Sequence, residues 1–316
     1  MSADVRPIPK SACRILDLMV PMRDGVRLHT VVYLPATGGP FPVILVRTPY
    51  SAKNTLPAPN QHCLEAGIAS VVQDCRGTAQ SEGVFYPWHP EIADGQDCLD
   101  WLAAQDWCNG RIAMDGGSHP GATQWYAAFS GHPALVGITP HVAPTDCANS
   151  PQYIGGAFCL RLSLQWGLNL HYGNGGYEKM EFDWDKLSWG LPLRELDRQA
   201  GLREIPFWRD WIGHSRYDAY WQTVDVNRHY PAIKAPALVT GGWYDLYSRG
   251  TLESFVGMQR QAGSERARRF SRCIIGPWTH GAVVQNLGVG TNAELADLHA
   301  TRLRFRENLL RHPDAD

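Results

Sequence analysis

The chain has 316 residues, 44% of them hydrophobic and 19% charged, the balance of an ordinary globular protein long enough to bury a large core. Its 29 basic and 31 acidic side chains leave a formal charge of −2, which gives no electrostatic footprint for nucleic acid or an anionic membrane. No window holds 18 consecutive apolar residues, and residues 1–10 contain no apolar signal core. The eight cysteines form no C-x-x-C pair, so they read as buried thiols in a reducing compartment, with the cytoplasm as the expected address.

Residues 15–35 predict an antiparallel opening, two apolar runs separated by Asp24-Gly25. Residues 42–46 predict a short strand, ended by Pro49 in Arg47-Thr48-Pro49-Tyr50. A helix over 61–67 and a buried strand over 68–73 follow, then Asp74-Cys75-Arg76-Gly77. Apolar residues at Ile92, Leu99, Leu102 and Ala103 have helical spacing, which makes Asp94 and Asp97 solvated members of that helix. Residues 112–114 form a strand that runs into Asp115-Gly116-Gly117-Ser118-His119-Pro120-Gly121, with a helix over 122–129 and another strand over 136–142. The alternation stops near Pro144. From 145 to 229 the chain is rich in Trp, Tyr, Gly and Asp, with helix-like pieces over 157–166 and 193–200, and reads as an inserted helical cap. Sheet pattern returns at 236–240 and 272–275, with helices over 251–261 and 293–310, the last amphipathic through Leu295, Leu298, Leu303, Phe305 and Leu309. The expectation is an α/β fold with a mostly parallel central sheet: residues 1–144 and 230–316 form the sheet domain and 145–229 the cap.

Strand, glycine turn, serine and helix is the layout of a nucleophile elbow. Pro120 stands where G-x-S-x-G has its second glycine, which a first-turn proline tolerates because its missing N–H would lack a partner anyway. Gly-Gly-Ser also occurs in plain turns. A serine is a poor nucleophile unless a histidine takes its proton and an acid orients that histidine. Asp245 follows the run 236–240 and His280 follows 272–275, in the order serine, acid, histidine, and open α/β sheets build sites at such strand ends. His89, His132 and His141 are candidates by type but none lies late after a strand. His119 adjoins the serine, so its ring projects from the other side of the turn. Asp74 and Asp115 also end strands but precede the cap. Arg76, in a turn after a buried strand, is expected to pair with a carboxylate near the elbow and to support loop geometry without touching substrate.

With these residues in view, the sequence resembles the α/β-hydrolase family of bacterial cocaine esterase and the X-Pro dipeptidyl-peptidases. RTPY, QDCRGTAQSEGVF, EIADGQDCLDWLAAQDWCNGRIAMDGGSHPG, PFWRDWIGHSRYDAYW, GGWYDLY and IIGPWTHG carry the likeness. The family motif Gly-x-Ser-Tyr-x-Gly aligns with Gly116 to Gly121, and the triad it implies falls on Ser118, Asp245 and His280. The resemblance also implies an oxyanion hole from the Tyr50 hydroxyl and the backbone N–H of His119, which stands where the family has tyrosine. Family members continue beyond the equivalent of Leu310 into a jelly-roll domain that helps wall the site, whereas this chain ends at Asp316. The α-amino acid ester hydrolases of the family place acidic residues two and three positions after the triad aspartate. Tyr247 and Ser248 stand there, which argues against amino-acid esters.

The function expected is a serine hydrolase that cleaves a small-molecule ester, or an amide, through an acyl-enzyme, without metal or organic cofactor and without nucleic-acid or membrane partners. Two alternatives stand beside it: an X-Pro dipeptidyl-peptidase, and a truncated, catalytically silent scaffold or binding module. Nothing in the sequence sets an oligomeric state.

Overall fold

The two opening runs pair as strands β1 (Cys13–Pro21) and β2 (Arg27–Pro35), antiparallel from Cys13↔Pro35 to Pro21↔Arg27, and turn at Asp24-Gly25. The structure, a computed structural model, describes residues 13–52, 59–172, 181–200, 204–281 and 292–313. The expected alternation follows as β3 (Phe41–Thr48), α1 (Pro59–Glu65), β4 (Ala69–Asp74), α2 (His89–Ala103), β5 (Cys108–Gly117), α3 (His119–Ala128) and β6 (Leu135–His141). Next come β7 (Tyr153–Ile154), β8 (Ala157–Phe158), α4 (Leu160–Tyr172), α5 (Trp184–Ser188), α6 (Leu196–Gln199), α7 (Pro206–Gly213) and α8 (Ala219–Val224). The chain then returns through β9 (Leu238–Gly242), α9 (Ser248–Gln261), α10 (Glu265–Phe270), β10 (Arg272–Gly276) and α11 (Asn292–Arg311).

Eight strands form one sheet in the order β1-β2-β4-β3-β5-β6-β9-β10, and every pair from β4 to β10 is parallel. Side chains alternate across it: Val43, Leu45, Ile112 and Met114 pack toward α2, α3, α9 and α10, whereas Ile44 and Ala113 pack toward α1 and α11. A strand covered on both faces must be apolar on both, which is why the central strands read as continuous runs. In α11, Leu298 and Leu309 are buried and Leu303 and Phe305 half-buried; the side chain of Leu295 lies outside the described residues.

Between β6 and β9 no strand among the described residues joins this sheet, and β7 and β8 pair with each other. Phe207, Trp208, Trp211 and Trp221 of this segment pack on Phe85, Trp88 and Tyr126 in one aromatic core. Its helices differ from the expected pieces. Residues 157–158 are strand and the helix begins at Leu160, while 193–200 divides into a 3₁₀ turn, Leu193–Glu195, and the short α6. Residues 173–180 and 201–203 of the expected cap lie outside the described residues. No described helix is long and apolar enough to cross a membrane.

Asp94 and Asp97 are not solvated. Asp94 is 1% exposed and accepts from Arg76 Nη2 at 2.6 Å and Nε at 3.0 Å, while Asp97 pairs with Arg23 at 2.6 Å. Helical spacing places both on the polar side of α2, but α2 is covered there by the β1–β2 turn and the loop after β4. A carboxylate so enclosed needs a cation, and each has one.

Candidate active site

β5 ends in a strained turn that demands glycine on either side of the serine. Ser118 has φ 60° and ψ −127°, a strained conformation of the kind kept only where the surroundings over-determine it. A β-carbon on Gly116, at φ 141°, would lie 2.5 Å from Pro120 Cβ, and one on Gly121 would lie 2.6 Å from Ala143 Cβ. The strand can therefore turn into α3 at this angle only with glycine at both positions. The Ser118 N–H donates to His141 O at 2.9 Å, and Gln124 Nε2 donates to Gly116 O at 3.0 Å. The helix starts at His119, with Pro120 in its first turn as expected.

Below the elbow, Asp115 is gripped by Arg302 Nη2 at 2.6 Å and Arg306 Nη1 at 2.8 Å, both from α11. Burial would raise this carboxyl, but Arg306 and Arg302 overcome it and bring it down to about 2. Nothing in the sequence pattern pairs Asp115 with a helix 187 residues away.

The loops after β9 and β10 converge on the serine. Trp243 N–H donates to Gly276 O at 2.9 Å and Tyr244 N–H to Trp278 O at 3.0 Å, which ties one loop to the other. Asp245, 5% exposed, accepts from Tyr247 N–H through Oδ1 at 2.7 Å and meets His280 Nδ1 through Oδ2 at 2.7 Å. His280 Nε2 lies 3.0 Å from Ser118 Oγ. A carboxylate only accepts, so Nδ1 carries the hydrogen and Nε2 is left to accept from the serine hydroxyl. The ring of Tyr247 stands edge-on to His280, centroids 5.3 Å apart.

A cavity of about 640 Å³, within the range of small-molecule sites, opens over Ser118. Tyr50, Trp88, His119, Trp166, Tyr247 and Leu246 line it, and no carboxylate, lysine or arginine among the described residues does. The Tyr50 hydroxyl accepts from Trp166 Nε1 at 3.3 Å. Its loop is anchored from below, because Asp74 accepts from Ala52 N–H and binds His29 Nδ1 at 2.6 Å, while Cys75 N–H donates to Thr48 O at 2.9 Å. His119, as the first residue of α3, offers a backbone N–H that has no acceptor within the helix. Its ring, 1% exposed, stacks on Trp88 with centroids 4.8 Å apart; burial, aided by the Arg47 charge, holds it neutral, down to about 3. The chain thus brings Ser118, Asp245, His280, Tyr50 and His119 to one place. Sequence reasoning missed the share of the segment between β6 and β9, Trp166, Gln152 and Ser163, because an irregular segment gives no periodicity from which to infer facing.

One set of donor atoms among the described residues has metal-like spacing: Cys75, Glu91 and His119, all buried, lie within 4.8 Å of one another. Arg47 Nη1, 2.7 Å from Glu91 Oε2, already supplies the positive charge that a cation would bring. Burial also raises the Cys75 thiol, against the thiolate a metal needs. The set reads as a buried polar network under the site.

Comparison with known proteins places this geometry in context. A profile of the X-Pro dipeptidyl-peptidase (S15) family matches residues 24–282. The cocaine esterase of Rhodococcus sp. (strain MB1 Bresler) is 34% identical over 284 residues, covering 84% of this chain and 48% of that protein. Among solved structures, an aminopeptidase from a marine sediment Thaumarchaeota archaeon superposes with a TM-score of 0.72 at 26% identity, over 89% of this chain and 52% of the other. An α-amino acid ester hydrolase gives 0.70 at 27%, over 89% and 51%. The chain spans about half the length of these relatives.

Proposed function

Because the chain belongs to the X-Pro dipeptidyl-peptidase (S15) family of hydrolases, we propose that it is a serine hydrolase whose nucleophile is Ser118, and that its substrate is an uncharged ester. The observation that carries this reading is the unbroken chain Asp245–His280–Ser118, with links of 2.7 and 3.0 Å. In this reading Ser118 Oγ attacks the ester carbonyl while His280 Nε2 takes its proton. Asp245 holds the imidazole in the required tautomer and stabilises the imidazolium that forms. The negative charge that develops on the carbonyl oxygen is met by the Tyr50 hydroxyl and the His119 N–H, donors fixed before reaction. His280 then protonates the leaving alcohol, and a water activated by the same histidine releases the acid.

The substrate class follows from the cavity. An ammonium group, as a free N-terminus carries, would be desolvated there without a countercharge from any described residue. This disfavours aminopeptidase and amino-acid ester chemistry and supports a neutral ester or, less well, an amide. Labelling with a fluorophosphonate, followed by mass spectrometry of the peptide that contains Ser118, tests the reading. Labelling in the wild type and none in Ser118→Ala is expected. An unlabelled wild type would mean that the serine is not activated and that the chain is a silent scaffold.

A further inference from the structure

Trp166, on α4, touches both residues assigned above to the oxyanion. Its indole Nε1 lies 3.3 Å from the Tyr50 hydroxyl, and its ring stacks on that of His119, with centroids 5.8 Å and planes 19° apart. The indole is itself held in place. Trp88 stacks on it almost parallel, at 5.7 Å and 3°, and Trp211 of α7 stands at 6.2 Å and 24°, separations at which offset aromatic rings attract. A side chain packed among rings has its rotamer locked, so Nε1 stays aimed at Tyr50. At the other end of that tyrosine the backbone is fixed as well, because Tyr50 N–H donates to Thr48 Oγ1 at 3.1 Å. The proton path Asp245–His280–Ser118 uses none of these contacts.

We infer that Trp166 is a positioning residue of the oxyanion hole, whose Nε1–H sets the direction in which the Tyr50 hydroxyl donates. An indole N–H only donates, so Tyr50 Oη is the acceptor in this pair. A phenol hydroxyl lies in its ring plane in one of two orientations, and the one that would face the incoming N–H is closed. The Tyr50 hydrogen therefore points away from Trp166, and from there it meets the charge that develops on the carbonyl oxygen. Donors oriented before reaction need no reorganisation at the moment the charge forms. A hydroxyl that accepts a hydrogen bond also donates a stronger one, so the same contact strengthens the bond to the anion. At 3.3 Å the contact is long, as such bonds often are without substrate, and it tightens as Tyr50 donates. This role rests on the serine-hydrolase reading, with Tyr50 as a donor, and adds what orients that donor.

A double-mutant cycle on kcat with p-nitrophenyl butyrate tests it, because a wall residue and a positioning residue couple differently to Tyr50. Trp166→Phe keeps one ring in the stack and removes the N–H. It is expected to lower kcat by about three- to tenfold, the scale of one hydrogen bond, in the otherwise wild-type chain. In the Tyr50→Phe background, where no hydroxyl is left to orient, the same substitution is expected to cost nothing. Trp166→3-benzothienylalanine, which has the same two fused rings with sulfur in place of N–H, separates the lost bond from the lost ring. It is expected to show the same fall in kcat with KM unmoved, and it carries the test if Trp166→Phe fails to fold. An equal loss in both backgrounds, or a full kcat with the benzothienyl side chain, overturns the inference and leaves Trp166 as cavity wall. Wild-type turnover in Tyr50→Phe also overturns it, while a fluorophosphonate-labelled Ser118 leaves the nucleophile standing. No turnover in the wild type, with Ser118 unlabelled, overturns the hydrolase reading itself.

Discussion

Replacing Arg302 by methionine tests whether α11 supports the elbow. The guanidinium Nη2 meets Asp115 Oδ1 at 2.6 Å, Thr139 O at 2.9 Å and Gly116 O at 3.4 Å. The fall of the Asp115 carboxyl from 3.8 to about 2 corresponds to roughly 2 kcal/mol of folded-state stabilisation left after burial is offset by Arg306, Arg302 and the bonds from Gly116 and Thr139. Arg306 stays at 2.8 Å in the variant, so the carboxylate keeps one cation, and about 1 kcal/mol of the pair is lost. The charged bond to Thr139 O adds about 1–2 kcal/mol. Burial depresses the Arg302 guanidinium, so desolvation already offsets part of the gain, and the net loss expected is about 2 kcal/mol, below the ~3–5 of a fully broken buried pair. For 316 residues, at about 2.1 cal/mol/K of unfolding entropy per residue, that lowers Tm by about 3 °C. The sign of the pH dependence follows from the depressed pKa: the stabilisation is fully present above 3.8 and is lost as pH falls through about 2. The stability gap between wild type and variant, from urea denaturation, is therefore expected at full size at pH 6 and visibly smaller at pH 3. A gap that stayed constant, or no gap at pH 6, would refute the idea that the ion pair supports the elbow.

Three further outcomes follow from the site. Asp245→Asn is expected to lower kcat by about 10⁴, because an amide next to His280 Nδ1 stabilises the wrong tautomer, with far-ultraviolet circular dichroism unchanged. Tyr50→Phe keeps the packing against Trp166 and removes only the hydroxyl; a turnover loss of about 10²–10³ at unchanged Tm is expected, and wild-type turnover would leave the second oxyanion donor unassigned. Arg76→Ala removes both bonds to buried Asp94 and leaves Arg47 Nη2 4.0 Å away as its remaining cation; calorimetry is expected to show a loss of about 2–3 kcal/mol, with KM unmoved.

The elbow was readable because its constraints are local. Gly116 is demanded by contact with Pro120, inside the same strand–turn–helix unit, and only the demand on Gly121 comes from farther off, from Ala143 after β6. Asp245 and His280 were readable from a rule of topology, since both follow the ends of parallel strands, β9 and β10, in the sheet that carries the serine. The burial of Asp94 was not readable. Its helix shows the polar pattern of a solvated position, and its cation comes from a turn after another strand. His119 was placed on the far side of the turn, but how deeply its ring is buried depends on Trp88, contributed by the loop before α2.

Sequence alone determined the alternation of strand and helix, the glycine spacing around Ser118 and the order serine, aspartate, histidine, because each is a matter of near neighbours or of succession along the chain. Tertiary structure alone decided that His280 stands 3.0 Å from a serine 162 residues away, that Arg302 and Arg306 hold Asp115, and that Gln152 and Ser163 close the cavity. Hydrogen bonds act over about 3 Å and fix no sequence separation. Which distant side chains come within that reach is set by how the sheet, α11 and the segment between β6 and β9 pack, and that packing leaves no period in the chain.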